Sequence, residues 1–544
     1  MSSIKPFVKT WRRWVMDANL LSLPKHWAIK TLVELTVQKN ISYGIVQPGK
    51  HENDGIPIIR VNNFNSSGLD VSNVMKVAPK IANKSLKTSL KKNDLLLTLV
   101  GSTGLTYIVP KKYEGWNVAR AVAVIRTDDT VSADWIKICL DSTFTKYFLD
   151  SRANTTVQKT LNLSDVKQVP IPIPLAHERA FIEKNIGNLN KKIELNQKTN
   201  QTLEKMAQAL FKSWFVDFDP VFDNLLASVD FNLDNLEGSL PNELKQKAQR
   251  RLVALNSLEN VAQCKASLSA LAHELQAQLP TKEATQAAVQ ILGKTAETPV
   301  KANLNANPNI LAQHANTHAH FPNEFEHNEQ LGWIPKGWEN GTFKDIADGL
   351  SGYAFKGKDF SETGFAVLKI KNITTDRSVV INDVNRVSPE VIDKLQRFLL
   401  NDGDIIMAMT GATVGKFGVL VSEDNEAYYL NQRVCKLTPK MEKGNPFLFS
   451  ALNQPGVEEG ILSAAQGSAQ PNISANGILA TKLLVPSKKT IEIFNRLLED
   501  IYERKITLRK ECYKLTKLRD TLLPKLISGE LQIPDVATDE EVVD

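Results

Sequence analysis

"KKNDLLLTLVGSTG" (residues 91–104) and "LNDGDIIMAMTGAT" (residues 400–413) share one pattern: a polar turn with an aspartate, a short apolar run, then glycine among Ser, Thr and Ala. Gly411 stands 310 positions after Gly101. The second copy continues as "TGATVGKF" (410–417), which comes close to a phosphate-cradling loop. That loop needs Gly, four spacers, Gly-Lys and then Ser or Thr, so that amides wrap the phosphates and the hydroxyl reaches magnesium. Here three residues separate Gly411 from Gly415, and Phe417 follows Lys416. The first copy, "VGSTGLTY" (100–107), has no lysine at all. In both copies the glycines are followed by a β-branched, apolar segment ("LTYIVP", "FGVLVS"), where a phosphate loop requires a helix. The pair therefore predicts strand, glycine turn, strand.

Further matches lie on either side at nearly the same offset. "LPKHWAIKTLVELT" (23–36) answers "IPKGWENGTFKDIA" (334–347), and "GIPIIRVNNF" (55–64) answers "GFAVLKIKNI" (364–373). "LNLSDVKQVPIPIP" (161–174) answers "PNISANGILATKLLVP" (471–486). Four matches in one order make the chain a tandem duplication with pseudo-twofold character. Each repeat opens with short strands separated by Gly, Asn and Asp turns, a mixed α+β (α/β) globule, and closes with a long polar helix.

Both helices carry a stripe stepping by three and four residues, the seam of a coiled coil. In the first the stripe is Ile186, Leu189, Ile193, Asn196, Asn200, Leu203, Ala207, Leu210 and Trp214. In the second it is Phe494, Leu497, Ile501, Arg504, Leu508, Glu511, Leu515, Leu518 and Leu522. Polar residues inside a seam weaken it but fix register, so the two helices are expected to match each other. A helix of about 40 residues extends about 60 Å, more than a small globule's diameter.

The expected organisation is an N-terminal helical segment (1–20), a first globule (21–175), a central helix (176–219) and a helical insertion and linker (220–330). A second globule (331–487), a distal helix (488–530) and an acidic C-terminal tail (531–544) follow. The insertion has no counterpart after the second helix. Its last part, 295–330, is rich in Asn, Ala and Pro, reads as a linker, and holds His314, His318, His320 and His327 without the cysteine or acidic partners a metal site would need.

Length and composition agree with several soluble units: 544 residues, 42% hydrophobic and 23% charged. No apolar run approaches the ~18 residues of a membrane span, and the first 21 residues are broken by Lys and Arg, unlike a secretory signal. A cytoplasmic protein is the expectation. The four cysteines have no paired spacing, which argues against a disulfide framework or zinc ribbon. A net charge of +6 suits a nucleic-acid partner without requiring one. No nucleotide loop, methylase tetrad, nucleophile elbow or H-E-x-x-H pair is present, and "NANPNI" (305–310) has one proline where an adenine methylase needs two. Asp217 and Asp219 in "WFVDFDP" end a helix without a converging lysine and read as capping or solvated groups. No catalytic residue, metal site or cofactor is expected in this chain.

"LPKHW" and "IPKGW" opening the halves, "SWFVDFDP" (213–220), "LNQRV" (430–434) and "LLPKLISGEL" (522–531) together resemble the specificity (S) subunits of type I restriction-modification enzymes. The resemblance spans nearly the whole chain outside the 222–330 insertion. It implies two target-recognition domains, each reading half of a split double-stranded DNA site, held apart by two antiparallel helices that dock two modification (methyltransferase) subunits. It further implies that those subunits bind S-adenosylmethionine and methylate adenine. Two restriction subunits would supply ATP-driven translocation and magnesium-dependent cleavage, leaving this subunit non-catalytic. A DNA-binding scaffold without enzyme partners is the alternative reading.

Two related globules on a stiff bar would read two short sequences with an unread gap. Because major-groove faces recur every ~34 Å, a bar of fixed length fixes that gap. Contacts should divide into phosphate clamps and base-edge readers. The expected DNA-binding residues of the first globule are Tyr43, Arg60, Asn62, Asn63, Ser102, Thr103, Asn117 and Arg120. Those of the second are Tyr353, Lys356, Lys358, Lys369, Lys371, Asn372, Lys416, Asn431, Gln432 and Arg433. Arg120 in "WNVARAV" and Arg433 in "YLNQRVC" are expected to be equivalent, which sets Val118 and Ala119 against Asn431 and Gln432.

Overall fold

The computed structural model describes residues 23–276 and 317–533, apart from 66–67, 154–158, 237–239, 259–260, 393–394, 424–425, 466–470, 529 and 532. The expected N-terminal helical segment, the middle of the insertion and most of the acidic tail lie outside the described residues. Contacts divide the chain into two units, Met1–Thr199 with Glu511–Asp544 and Asn200–Lys510.

The first unit contains β1 (Ala28–Thr31), β2 (Thr36–Tyr43), β3 (Ile56–Ile59), β4 (Met75–Val77), β5 (Leu95–Thr98), β6 (Thr106–Ile108), β7 (Asn117–Val118), β8 (Val122–Thr127) and β9 (Pro170–Ile173). They form a four-stranded sheet β2-β8-β5-β6, a three-stranded sheet β4-β3-β7 and a pair β1-β9. Period-2 alternation sorts the four-stranded sheet's side chains. Leu97, Ala123 and Ile125 face Trp135 and Ile136, while Leu96, Val122 and Val124 face Ile59 and Phe64. Two short helices, α1 (Pro79–Asn83) and α2 (Ala133–Asp141), pack beside these sheets, and α3 (Ala176–Phe215) follows β9.

In the second unit α4 (Asp219–Ala227), α5 (Asn242–Asn256) and α6 (Val261–Gln276) precede a second set of strands. These are β10 (Glu339–Thr342), β11 (Ala347–Ser351), β12 (Phe360–Ser361), β13 (Phe365–Leu368), β14 (Asn385–Val387), β15 (Leu399–Leu400), β16 (Ile405–Ala408), β17 (Phe417–Val419), β18 (Tyr428–Leu430), β19 (Val434–Pro439) and β20 (Lys482–Val485). The pattern repeats: a sheet β11-β19-β16-β17, a five-stranded sheet β12-β14-β13-β18-β15 and a pair β10-β20. Helices α7 (Asn445–Leu452), α8 (Val457–Ala464) and α9 (Lys488–Ser528) lie among and after these strands, α9 running on into the other unit.

The same acids and amides hold the same turns in both copies. Glu34 and Asp345 accept the Thr31 and Thr342 amides at 2.7 Å, Asn63 and Asn372 accept those of Arg60 and Lys369 at 2.9 Å, and Asp94 and Asp404 those of Lys91 and Asn401 at 2.8 Å. The opening stretch is a hairpin in each copy, with Leu95 opposite Ile108 and Ile405 opposite Val419. "TGATVGKF" is thus the turn between β16 and β17, with one 3-10 turn at Gly411–Thr413 and no following helix.

Within each unit the long helices run antiparallel. In the first unit Asn190 accepts from Arg519 at 3.2 Å and Lys192 lies 3.3 Å from Glu511. In the second Lys505 pairs with Glu204, and Trp214 meets Phe494 edge to face at 5.7 Å. Ile186, Ile193, Trp214, Phe494 and Leu508 are buried as the stripe requires, while Leu189, Leu203, Leu210, Leu497, Ile501, Leu515 and Leu522 are half-buried. The second stripe departs from expectation: Arg504 is exposed and Leu518 is 46% exposed, whereas Tyr502, Cys512, Leu523 and Leu526 are buried. Buried residues at 498, 502, 508 and 512 carry the stripe round the helix, because Tyr502 also turns into its own globule, donating to the Gly403 carbonyl at 2.9 Å. Burial pushes the Tyr502 phenol far above its ordinary range and holds it neutral.

The linker expected at 295–330 packs from residue 317 onward. Asp223, fully buried on α4, accepts from Arg251 Nε and NH2 at 2.7 Å each and lies 3.1 Å from His318 Nε2. Asn224 donates to the His318 and Phe321 carbonyls at 2.8 and 2.9 Å. Asp217 and Asp219 are also less free than expected. Lys212 pairs with Asp217, and Asp219 accepts from Ser213 at 2.7 Å and lies 3.4 Å from Arg251.

Candidate nucleic-acid interface

In each globule the chain crosses to the four-stranded sheet from the neighbouring one, three-stranded in the first globule and five-stranded in the second, through three residues: Ala119–Ala121 between β7 and β8, and Asn431–Arg433 between β18 and β19. The strand entering from β2 or β11 is tied to this crossing by a repeated hydrogen-bond set. Gly44 donates to the Val122 carbonyl, Ile45 to Val118, and Arg120 to Ile45. Gly352 donates to Val434, Tyr353 to Leu430, and Gln432 to Tyr353. A Cβ at Gly44 would strike the Val118 carbonyl, and one at Gly352 the carbonyls of Leu430 and Asn431. Glycine is required here because backbone approaches backbone.

These bonds also correct the expected equivalence. The Leu99 amide meets the Ala121 carbonyl and the Met409 amide meets that of Arg433, so Arg433 corresponds to Ala121. Arg120 corresponds to Gln432 and Ala119 to Asn431. Likewise the Thr98 amide donates to the Leu105 carbonyl where the Ala408 amide donates to that of Lys416, which makes Leu105 the counterpart of Lys416. One residue of slip hid this in the sequence, because "NVARAV" and "LNQRVC" align their arginines without regard to pairing.

Around each crossing the structure gathers part of the expected set. In the second globule Gln432 and Arg433 are exposed, Lys416 is half-buried at the start of β17, and Lys369 begins the turn after β13. Arg433 and Lys416 have no ion-pair partner among the described residues. The Lys369 ammonium lies 4.0 Å over the Phe360 ring, and burial together with the like charge of Lys371 holds it below the ordinary lysine range. Lys371 forms an exposed pair with Asp383 at 2.9 Å, worth little and easily exchanged. Lys356 and Lys358 are exposed on the loop after Tyr353, whose own half-buried ring packs on Phe355 and Phe398.

In the first globule Tyr43 is 50% exposed with no ring partner among the described residues, Arg120, Asn62 and Ser102 are exposed, and Thr103 is half-buried. Arg60 occupies the place of Lys369, and its Nε is a buried donor without a partner among the described residues.

Four expected readers are withdrawn by their surroundings. Asn63 uses its amide on the Arg60 N–H and the Asp70 carbonyl, and Asn372 on the Lys369 N–H and the carbonyls of Val380 and Asp383. Asn117, 1% exposed, bonds Thr88 and the Ser85 carbonyl, and Asn431 is buried with its oxygen toward the Arg433 amide. An amide committed to local backbone is unavailable to a base edge.

Sequence reasoning missed Arg377. Its guanidinium stacks 4.5 Å from the Phe417 ring and bonds Asn453 and Glu458 at 3.1 Å each, bracing the hairpin that carries Lys416. Among the described residues no group of three or more His, Cys, Asp or Glu is placed to hold a metal ion, and no helix is long and apolar enough to cross a membrane.

Residues 24–205 and 335–515 match the family described as the type I restriction modification DNA specificity domain. The chain is 28% identical over 466 residues to the Type I restriction enzyme HindI specificity subunit of Haemophilus influenzae, covering 82% of this chain and 88% of that one. It is 20% identical over 533 residues to the MjaIX specificity subunit of Methanocaldococcus jannaschii, covering 97% and 98%. The crystal structure of a type I restriction-modification S subunit from M. genitalium aligns over 93% of this chain and 98% of that chain at 13% identity, with a TM-score of 0.41.

Proposed function

Because the chain belongs to the type I restriction modification DNA specificity family, we propose that each globule reads one part of a split, asymmetric DNA target and that the long helices set the spacing between the parts. The chain is a specificity subunit of a type I restriction-modification system. The observation that carries the finer reading is the repeated crossing: one backbone framework displays Ala119, Arg120 and Ala121 in one globule and Asn431, Gln432 and Arg433 in the other. Identical frameworks with different hydrogen-bonding side chains suit two different half-sites.

In this reading Arg433, Gln432 and Arg120 meet base edges, and Lys416, Lys356, Lys358, Lys369 and Arg60 meet phosphates. The paired helices α3 and α9 dock two modification subunits, which hold S-adenosylmethionine and methylate adenine. Two restriction subunits bring ATP-driven translocation and magnesium-dependent cleavage. The chain itself positions DNA, contributes no reacting group, and works in the cytoplasm.

Two measurements test this. A tagged full-length chain should co-purify with a methyltransferase, and the methylome of cells carrying the system should show a two-part target. Arg433→Ala should then relax one part by about 1–3 kcal/mol of discrimination and leave the other intact. Purification without a methyltransferase would leave a solitary DNA-binding scaffold, and loss of both parts together would refute independent reading.

A further inference from the structure

The first globule carries a lysine-rich face that the proposed reading does not use. The stretch "KVAPKIANKSLKTSLKK" (76–92) has no acidic residue. Lys80 and Lys84, on and just after α1, are exposed, as are Lys87, Lys91 and Lys92 in the next segment. Lys111 and Lys112, exposed on a 3-10 turn, are brought alongside by backbone bonds that join Leu90 to Trp116 and Gly115. Among the described residues none of these seven ammonium groups has a carboxylate partner within ion-pair distance. Of the nearby acids, Glu114 is engaged with the Lys92 amide at 3.1 Å, and buried Asp94 accepts the Lys91 amide and pairs with Arg126 at 2.6 Å.

The fold does not require this charge. Matching turns place Glu390 of the second globule where the first has Lys80, Asn401 for Lys91, Asp402 for Lys92 and Glu423 for Lys112. The same scaffold therefore tolerates the opposite sign, and like charges held together repel unless a polyanion neutralises them. The face is also continuous with the reading surface. Ile81 and Ala82 of α1 share an apolar cluster with Ile45 and Ala119, and Asn117 ties Ser85 and Thr88 to the strand leading into Arg120.

We propose that this face grips the phosphates of duplex DNA adjoining the half-site read by the first globule, independently of sequence. The inference rests on DNA being the ligand of the neighbouring crossing. On the matching face of the second globule Glu390, Asp402 and Glu423 offset Arg397, the counterpart of Lys87, which predicts a much weaker grip there.

The test uses the full chain with its co-purifying subunits and the variant Lys80→Gln/Lys87→Gln/Lys91→Gln/Lys92→Gln. Affinity is measured against salt for the target duplex and for one with the first half-site scrambled, and ethylation interference maps the contacted phosphates. Four lost phosphate contacts lower the slope of log K against log salt by about 3–4, so the wild-type advantage changes about 100-fold between 50 and 200 mM. The loss should be equal on both duplexes, and interference beyond the read bases should vanish on that side alone. An unchanged slope with an unchanged melting temperature refutes the grip. A loss confined to the target makes these lysines base readers instead, and unaltered DNA binding with a lost subunit makes the face a protein contact. Absence of target preference in the wild type defeats the half-site reading, while the slope on any duplex still decides the grip.

Discussion

Substituting Gly44 and Gly352 separately tests the repeated crossing most directly. In Gly352→Ala the new methyl meets backbone carbonyls, which have no rotamer by which to yield. Either the crossing moves or the entering strand does. Overpacking of this kind costs about 1–3 kcal/mol. The bonds at risk are Gly352 to Val434 at 3.0 Å, Tyr353 to Leu430 at 2.9 Å and Gln432 to Tyr353 at 2.8 Å, each contributing about 1 kcal/mol. The local cost is therefore roughly 2–5 kcal/mol, while β16, β17 and β19 keep their buried pairing. Gly44→Ala endangers the matching bonds to Val122, Val118 and Ile45 in the other unit. The assay is a discrimination ratio, affinity for the intact target over affinity for a duplex with one half scrambled, measured for each half. Gly352→Ala should bring one ratio close to unity and leave the other within about twofold, and Gly44→Ala should do the reverse. Hydrogen exchange should quicken at 429–434 in the first variant and at 117–122 in the second. If either variant lowered both ratios alike, or neither, the claim that each crossing organises its own reader would fail.

Trp214, 6% exposed and edge to face with Phe321 and Phe494, should cost about 3–5 kcal/mol as Trp214→Ala and lower the second unit's melting transition by roughly 10 °C; a shift under 2 °C would deny it a core role. Burial alone would raise the Asp223 carboxyl, yet bonds and charge from Arg251 and His318 hold it below its usual range. Its contribution is thus present above about pH 4 and fades as pH falls through the lower folded value. Asp223→Asn should cost about 3–5 kcal/mol near pH 7 and progressively less below pH 4 in denaturant titrations, and a gap independent of pH would contradict the ionised pair. Lys416→Gln should reduce the salt slope of DNA binding by about 1 on target and scrambled duplex alike, whereas a loss confined to the target would make Lys416 a base reader.

The duplication, the hairpins and the helix pair were legible because they rest on local patterns: glycine turns, period-2 runs and steps of three and four. Lys416 stood out for the same reason, since a lysine after a glycine turn has no counterpart in the other copy. What escaped was set by partners distant in sequence. Asn117 and Asn372 look like readers until their amides are found bonded to backbone and neighbouring side chains. The one-residue slip between Arg120 and Arg433 is invisible without the amide bonds of Leu99 and Met409. Arg504 and Leu518 left the expected seam because α9 serves a globule as well as its partner helix, which widens and turns its apolar face. Residues 317–321 looked like linker because the acid that buries His318 lies 95 positions earlier.

The crossings also explain how one fold can serve two half-sites. The bonds that tie Ala119–Ala121 and Asn431–Arg433 to the entering strands are made by main-chain groups, which all residues except proline can supply, and Asn431 adds a side-chain bond to the Arg433 amide within its own crossing. Side chains at these positions are therefore free to differ without disturbing the frame, and they do: alanine against asparagine, arginine against glutamine, alanine against arginine. The constraint falls instead on Gly44 and Gly352, where only the absence of a Cβ lets strand and crossing meet. Constancy is thus concentrated in two residues that touch no base in this reading, and the variation includes Arg120, Gln432 and Arg433, which do. A specificity subunit divided in this way can acquire a new half-site by exchanging side chains at one crossing while the other crossing, and the helices that set the gap, stay as they are.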